Sequence, residues 1–228
     1  MLTLALDTAN DRLAVALAGE GRAVARAEAI ARGHAERLFP LIDEILAAAE
    51  AEIEDIRRIA VNVGPGSFTG IRIAVAAARG LGLALGIPVV GIDALHLIAA
   101  SLDEPADGPV LAAVDARRGE VYAALFGPKG DVLEAPFAAD AESVLTRIGD
   151  RAAVLAGSGA AILAHQAAIS GRRVPPVDAM FTTDPLALAR LGSLADPATA
   201  LPRPLYLRAP DAKPQAPVPG LLARTPDP

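Results

Sequence analysis

The sequence predicts an α/β protein made of two related halves, and three observations support that class. Short apolar segments with strand-like alternation, such as Leu2, Leu4 and Leu6, precede longer apolar segments with helical spacing. Hydrophobic residues make up 53% of the 228 residues but aromatic residues only 3%, so the core must be built from Ala, Val, Leu and Ile. The landmarks of the first half also return in the same order in the second half, which indicates an internal repeat.

The first half reads as an antiparallel meander followed by alternating helices and strands. Its predicted elements are three strands within residues 2–30, a helix at 34–50, a strand at 57–63, a helix at 67–85, a strand at 88–92 and a helix at 94–102. Pro40 is expected either to kink the first turns of the first helix or to mark its true start. Gly86 is expected to end the long apolar helix, and Asp93 is placed to cap the last one.

The second half opens in the same way, after a polar and breaker-rich stretch at residues 103–109. The predicted elements are a strand ending at Asp115 with a hairpin after it, a helix at 141–148, a strand and glycine turn at 154–159, a helix at 184–195 capped by Asp184 and an extended piece at 204–208. We therefore predict three regions. These are an N-terminal lobe at 1–104, a C-terminal lobe at 105–208 and a Pro-rich, disordered tail at 209–228.

Two aspartates occupy matching places in the repeat, because Asp7 and Asp115 each end an opening strand. If the halves face each other, both carboxylates point into one cleft and could hold a hydrated Mg²⁺ on a nucleotide phosphate. Gly157 and Gly159 would form the second glycine turn of such a vestigial nucleotide site. The alternative is that each carboxylate only binds backbone amides of its own turn, and that the repeat is a chance similarity of short segments.

The glycine turn of the first half, GPGSFTG, separates a predicted strand from the long apolar helix. Gly64, Gly66 and Gly70 permit positive φ or close backbone approach, and Ser67 or Thr69 can cap the helix. A helix start of this kind can hold an anion. No Lys-Ser or Lys-Thr follows the last glycine, as a Walker A loop requires, and the spacing is not GxGxxG. A turn needed only for packing is the other interpretation.

Several classes of protein are disfavoured by composition and spacing. The net charge of −6 argues against tight direct binding of nucleic acid, and the absence of cysteine excludes disulfides and thiol chemistry. The three histidines, His34, His96 and His165, fall on separate predicted helices without an i, i+4 partner, so no zinc site is expected. Ser67 is not in a GxSxG nucleophile motif.

The N-terminal residues lack the basic region of a signal peptide. The apolar stretch at 71–85 is interrupted by Arg72 and Arg79 and is too short to span a bilayer. We expect a cytoplasmic protein that does not enter a membrane.

The two long helices of the first half carry a different signal. The long apolar helix has small residues that allow another helix to approach closely, namely Ala74, Ala77, Ala78 and Gly82. The helix at 34–50 has Leu38, Leu41, Ile45 and Leu46 over more than one face. Such a helix lies either in a deep core or against a partner.

Four segments together resemble the bacterial TsaB family of tRNA threonylcarbamoyladenosine biosynthesis proteins. They are VGPGSFTGIR at 63–72, HAERLFPLID at 34–43, DARRGEVY at 115–122 and PLYLR at 204–208. The glycine turn is also shared with the related catalytic subunit TsaD, which carries a His-x-x-x-His metal motif. Here Leu38 stands where the second histidine would be, which favours the accessory paralogue. Asp7-Thr8-Ala9 departs from the Asp-Thr-Ser common in relatives, which weakens a phosphate role.

The resemblance implies an actin/Hsp70/sugar-kinase-like (ASKHA) fold with two related lobes and mixed sheets. It implies a scaffold subunit without catalytic residues or metal, with no required cofactor and at most weak ATP and Mg²⁺ binding. The implied partners are TsaD, through the two long helices, TsaE in a ternary complex, and a second copy of the chain, with tRNA contacted only indirectly. The residues mapped to partner binding are His34, Leu38, Leu41, Ile42, Ile45, Leu46, Arg72, Val75 and Arg79.

An enzyme remains the competing interpretation: a nucleotide-dependent phosphotransferase or hydrolase of the same fold that uses Asp7 and Asp115. A metallopeptidase is weaker because paired histidines are absent. A Rossmann dehydrogenase is also disfavoured, because the glycine turn follows a meander and not the first strand.

Overall fold

The computed structural model describes residues 1–102, 106–178 and 183–208, which form two five-stranded sheets covered by helices. The elements of the first half are β1 (Thr3–Asp7), β2 (Arg12–Gly19), β3 (Arg22–Ala29), α1 (His34–Ala48), β4 (Arg58–Asn62), α2 (Phe68–Leu85), β5 (Val89–Ile92) and α3 (Ala94–Ala100). Those of the second half are β6 (Val110–Arg117), β7 (Glu120–Phe126), β8 (Val132–Asp140), α4 (Ala141–Ile148), β9 (Val154–Ala156), α5 (Ala160–Ile169), β10 (Val177–Asp178) and α6 (Pro185–Leu194).

The two sheets have the same strand order and mixed direction. The first runs β3-β2-β1-β4-β5 and the second β8-β7-β6-β9-β10. In each, the opening strand pairs antiparallel with its hairpin partner on one side and parallel with a later strand on the other. Leu4 thus lies between Leu17 and Ile59, and Leu111 lies between Leu125 and Leu155. The predicted repeat and the two lobes with mixed sheets are confirmed.

Local sequence signals account for most helix ends. The caps are side chains of Ser67, Asp93, Asp140 and Asp184, each of which accepts a backbone N–H of the following turn. Gly86 ends α2 in the left-handed conformation, as predicted. Pro40 lies inside α1, which already begins at His34, so this proline does not mark the start of the helix.

Two helices cross to the lobe opposite the one that their sequence position predicts. Helix α6 packs on β1, β4 and β2 of the first sheet, whereas α3 packs on β6 and β7 of the second. The first sheet presents Ala5, Ala16 and Ala60 on that face, and a Cβ at Gly192 of α6 would overlap Ala60. The lobe assignments 1–104 and 105–208 are therefore corrected for α3 and α6, respectively. Small side chains on both surfaces let α6 lie close to the first sheet.

Arg58 fastens α6 in that position. Its Nη1 donates to the carbonyl oxygens of Gly192 at 2.9 Å, Ser193 at 3.0 Å and Ala195 at 2.7 Å. These carbonyls belong to the last turn of α6 and to the residue that follows it, so the guanidinium satisfies acceptors left unpaired at a helix end.

Helix α2 is longer than the apolar stretch recognised in the sequence. Its 18 residues have a mean hydropathy of 1.4, which makes it, among the described residues, the one helix long and apolar enough to cross a membrane by length and composition. It packs on β4 and β1 as one layer of the first lobe. The polar stretch at 103–109, predicted to separate the lobes, lies partly outside the described residues, which omit 103–105. The predicted disordered tail at 209–228 lies wholly outside them.

Candidate functional site

A cleft of about 550 Å³ opens between the ends of the two opening strands. Its walls include Asp7, Arg12 and Ser67 from the first half and Asp115 and Tyr122 from the second. The sequence prediction that Asp7 and Asp115 face one cleft is therefore confirmed. This arrangement follows from the repeat, because each aspartate lies near the C-terminal end of the central, opening strand of its sheet.

Asp7 is almost entirely buried, with 4% of its surface exposed. Its carboxylate accepts the N–H of Ala9 at 2.9 Å and the hydroxyl of Thr183 at 3.2 Å. Burial raises the pKa of Asp7, and the hydrogen bonds from Ala9 and Thr183, together with the charge of Arg12, oppose that rise. The carboxylate therefore lies in the cleft wall at a place where its charge is poorly solvated.

Asn62 is the second polar group buried beside Asp7, and none of its surface is exposed. Its Oδ1 accepts the N–H of Gly64 at 2.9 Å, while its Nδ2 has no acceptor within hydrogen-bond distance. Sequence analysis missed Asn62 and Thr183. Asn62 was detectable as a polar residue in an otherwise apolar strand, but no sequence signal links Thr183 to a carboxylate 176 residues away.

Asp115 is more accessible, with a side chain that is 32% exposed. Its carboxylate accepts the N–H of Arg117 at 2.7 Å, and the Arg117 guanidinium lies 3.7 Å from its other oxygen. The N–H of Asp115 donates to Ser158 Oγ at 3.1 Å. Both aspartates thus accept the amide N–H two residues ahead, and both also line the cleft.

The first glycine turn is closed against the end of β1. Ser67 donates its N–H to the carbonyl of Ala9 at 2.7 Å, and Thr8 donates its hydroxyl to the carbonyl of Gly70 at 2.6 Å. A Cβ on Gly70 would overlap the Thr8 carbonyl oxygen. Ser67 Oγ accepts the N–H of Gly70 at 3.2 Å, which occupies one of the amides that an anion would need.

Only part of each glycine turn reaches the cleft. In the first turn, Gly66 and Ser67 line it, whereas Thr69 neither lines it nor caps the helix. Gly64 has a φ of 93° and lies beside Ile71.

In the second turn, neither Gly157 nor Gly159 lines the cleft. Gly159 donates its N–H to the Ala113 carbonyl at 3.0 Å, and Ser158 lines the cleft in their place. The predicted glycine contacts are corrected there, because the two glycines let the turn approach the backbone of β6.

The apolar residues assigned to partner binding face the interior of their own lobe. These residues are Leu38, Leu41, Ile42, Ile45, Leu46 and Val75, which are at most 7% exposed and belong to the core cluster of the first lobe. The excess of apolar residues on α1 is therefore used for the deep core. Of the other assigned residues, His34 is half-buried, whereas Arg72 and Arg79 are exposed.

The exposed sides of α1 and α2 carry residues that sequence analysis did not select. Leu83 is 87% exposed, Phe68 is 58% exposed and Phe39 is 49% exposed. Between Phe68 and Leu83, the exposed side of α2 carries the small residues Ala76 and Gly80 together with Arg72 and Arg79. The helical spacing of these residues was visible in the sequence. Because α2 is apolar on most sides, the spacing did not show which side would face solvent.

No group of three or more His, Asp or Glu side chains suited to a metal ion occurs in the part of the chain that the structure describes. The three histidines lie on α1, α3 and α5, as the sequence predicts.

Comparison with known proteins gives a consistent set of relatives. A family model described as TsaD, tRNA N6-adenosine threonylcarbamoyltransferase, matches residues 27–165. The tRNA threonylcarbamoyladenosine biosynthesis protein TsaB of Escherichia coli K12 is 40% identical over 123 residues, covering 54% of this chain and 53% of that protein. An uncharacterized protein of Mycobacterium tuberculosis H37Rv is 36% identical over 216 residues, covering 93% of this chain and 94% of that protein.

The solved structure of YeaZ from Pseudomonas aeruginosa matches with a TM-score of 0.73 and 32% identity, and the match covers 90% of this chain and 99% of that one. The matched region spans about half the length of the curated TsaB relatives, 53% for the Escherichia coli protein and 58% for that of Bacillus subtilis. The two mixed sheets and these matches confirm the ASKHA fold, and the chain belongs to the TsaB family of tRNA threonylcarbamoyladenosine biosynthesis proteins.

Proposed function

We propose that this chain acts in the formation of N6-threonylcarbamoyladenosine in tRNAs that read ANN codons. Its role is that of a non-catalytic scaffold subunit that binds and supports the catalytic subunit TsaD. The names of its relatives support the pathway. The observation that carries the scaffold role is the exposed side of α2, where Leu83 is 87% exposed beside small residues.

The chemistry of that surface suits another helix pair. Ala76 and Gly80 leave room for a close helix approach, while Leu83 and Phe39 provide apolar side chains that lose contact with water on binding. The same surface would serve a second copy of the chain, so the homodimer and the complex with TsaD should compete. TsaE is proposed as a third member of the complex on the strength of the family resemblance alone.

The charge of the chain fits a subunit that does not grip RNA by itself. The net charge of −6 would repel a phosphate backbone, so TsaD is expected to supply most of the contacts with tRNA. We place the complex in the cytoplasm, where such a tRNA-modifying assembly would work, and no cofactor is required of this subunit.

The test is size-exclusion chromatography with light scattering, using this chain and the TsaD of the same organism. The wild-type chain should form a one-to-one complex, and Leu83→Glu should abolish it while leaving the melting temperature unchanged. Leu83 is preferred to Leu41 as the probe because Leu41 is fully buried, so a charge there would unfold the lobe and say nothing of binding.

The matched control is Ile169→Glu, which places the same charge at a residue of α5 that is 64% exposed in the other lobe. This variant should bind TsaD as the wild type does. A complex that survives Leu83→Glu, or a wild-type chain that never associates with TsaD, would rule out the proposed surface.

The second candidate function is a nucleotide-dependent phosphotransferase or hydrolase. It is favoured by the 550 Å³ cleft that holds both Asp7 and Asp115. It predicts that Mg-ATP binds to the purified chain in calorimetry and is hydrolysed, and that Asp115→Ala removes the turnover. The scaffold function predicts weak binding at most and no turnover in either protein.

A further inference from the structure

The segment after α6, residues 200–208, runs from the first lobe to the second. At its start, the carbonyl of Ala200 accepts the N–H of Gly91 at 2.9 Å, on the outer edge of β5. Further on, Leu205 donates its N–H to the carbonyl of Val63 at 2.8 Å, and its side chain packs on the core of the first lobe. The segment is therefore held at the residue that directly precedes the first glycine turn.

The next residue contacts the first turns of α2. The ring of Tyr206 lies 5.9 Å from that of Phe68, and its hydroxyl accepts a hydrogen bond from Arg72 Nε at 3.0 Å. The Arg72 guanidinium in turn lies 3.6 Å above the centre of the Phe68 ring. Tyr206, Phe68 and Arg72 thus form one surface cluster, in which a guanidinium contacts one aromatic ring and hydrogen-bonds the other side chain.

The last two residues contact the second lobe. Leu207 packs on the apolar cluster that α3 forms with β6 and β7. Arg208 forms an ion pair with Glu120, the first residue of β7. The Arg208 guanidinium also lies 6.0 Å from the ring of Tyr122, a residue of the cleft wall.

We propose that residues 200–208, the interlobe strap, couple the first turn of α2 to the cleft wall at Tyr122. Successive residues of the strap are held by different lobes, and an extended chain reaches at most about 3.5 Å per residue. The two residues from Tyr206 to Arg208 therefore cannot absorb a large movement of one lobe against the other. Opening or closing of the cleft must shift or break one of the two anchors.

This coupling acts in both directions, because linkage between two sites is reciprocal. A molecule that closes the cleft would change the position of Phe68 and Arg72, and a protein bound to α2 would change the cleft at Tyr122. The relevance for TsaD rests on the proposed function, whereas the coupling itself is a property of the free chain. It can therefore be tested without any partner.

The experiment is hydrogen exchange on the full-length chain, measured amide by amide, with each anchor broken in turn. Glu120→Gln removes the ion pair in the second lobe and should speed exchange of the Gly70 and Ile71 amides in the first lobe by up to about fivefold. Tyr206→Ala removes the contact with α2 and should speed exchange at the start of β7 in the second lobe. Glu134→Gln, which breaks the ion pairs with Arg147 and Arg151 away from the strap, should change neither.

The proposal is overturned if each variant alters only the amides beside its own substitution. Binding to TsaD is then measured with the same proteins. Weaker binding by Glu120→Gln would extend the coupling to the partner surface. A chain that shows the exchange pattern but binds no TsaD would contradict the proposed function and leave the strap in place.

Discussion

The two lobes share one strand order but differ in their helices and in the setting of their aspartates. In the first lobe, α1 and α2 have 15 and 18 residues, whereas α4 and α5 of the second have 8 and 10. Asp7 is buried at 4% exposure, whereas the Asp115 side chain is 32% exposed. The two lobes thus share the strands and turns of the cleft, whereas the helices of the first lobe are longer and have an exposed apolar side.

The aspartates show how the same local bond can serve in different surroundings. Each carboxylate accepts the N–H two residues ahead, from Ala9 in one lobe and Arg117 in the other. Asp7 gains Thr183 as a second donor because α6 crosses to the first sheet, whereas Asp115 faces an arginine close to solvent. The local turn is therefore a property of the repeat, and the electrostatic environment is a property of the packing around it.

The largest expected effect comes from filling the space that the glycine turns leave for the opening strands. Gly70→Ala would force a Cβ onto the Thr8 carbonyl, and Gly157→Ala would force one onto the Ala113 carbonyl at a φ of 99°. Each should lower the free energy of unfolding in urea by about 3 kcal/mol or more. Similar losses in both lobes would show that both turns are packing devices.

Gly80→Ala is the matched control for that experiment, since nothing lies within 4 Å of its added Cβ. It should stabilise α2 by about 0.5–1 kcal/mol, because alanine is the better helix former. A Gly70→Ala protein as stable as the wild type would show that the turn can move away from β1, and the packing interpretation would then be wrong.

An intermediate effect is expected from the buried aspartate. Burial raises the folded-state pKa of Asp7 above its ordinary value of 3.8, so the stability that this group contributes is present at low pH and lost as the pH rises through the folded-state pKa. Asp7→Asn should therefore raise the melting temperature at pH 7 by a few degrees. It should also make the melting temperature depend less on pH above about pH 4.

Asp115→Asn is the corresponding change in the second lobe, and it should leave the melting temperature nearly unchanged because that side chain is partly solvated. A lower melting temperature for Asp7→Asn would mean that the charged bonds to Ala9 and Thr183 outweigh the cost of burial. The measurement is differential scanning calorimetry of the wild type and both variants between about pH 4 and about pH 8.

The smallest effect concerns surface ion pairs that tie the helices of each lobe. Hydrogen bonds from Gln166, Ser170 and Arg172 lower the pKa of Glu142 from 4.5 to about 2. The stability that Glu142 contributes is therefore present above pH 4.5 and lost as the pH falls towards 2. Glu142→Gln should slightly weaken the contact between α4 and α5 at neutral pH. It should also remove the change in the α5 amide shifts that acidification causes in the wild type. Amide shifts of α5 followed by NMR during an acid titration would detect both.

The first lobe has a comparable group of surface carboxylates, because hydrogen bonds from Arg37 lower the pKa of Glu28 and of Glu44. Glu28→Gln should affect contacts of α1 with β3 and leave the titration of α5 unchanged. If α5 shows the same acid-induced shifts in Glu142→Gln as in the wild type, Glu142 is not the titrating group.

The candidate site was predicted in part. The sequence placed Asp7, Asp115 and Ser67 at strand and helix ends, and all three line the cleft. It assigned Leu41 and its apolar neighbours to a partner, although they are buried in their own lobe. Helical spacing identifies an apolar face but does not say what covers it, because a core and a partner remove the same surface from water.

The sequence alone determined the features that depend on neighbouring residues. The strands, the helix caps, the glycine turns and the family motifs all arise within a few positions of one another, where side chains and backbone interact directly. Tertiary structure decided the rest: the crossing of α6 and α3, the bond from Thr183 to Asp7, and the strap that joins the lobes. These features join residues far apart in the chain, and their free energy comes from complementary surfaces that exist only after both sheets have formed.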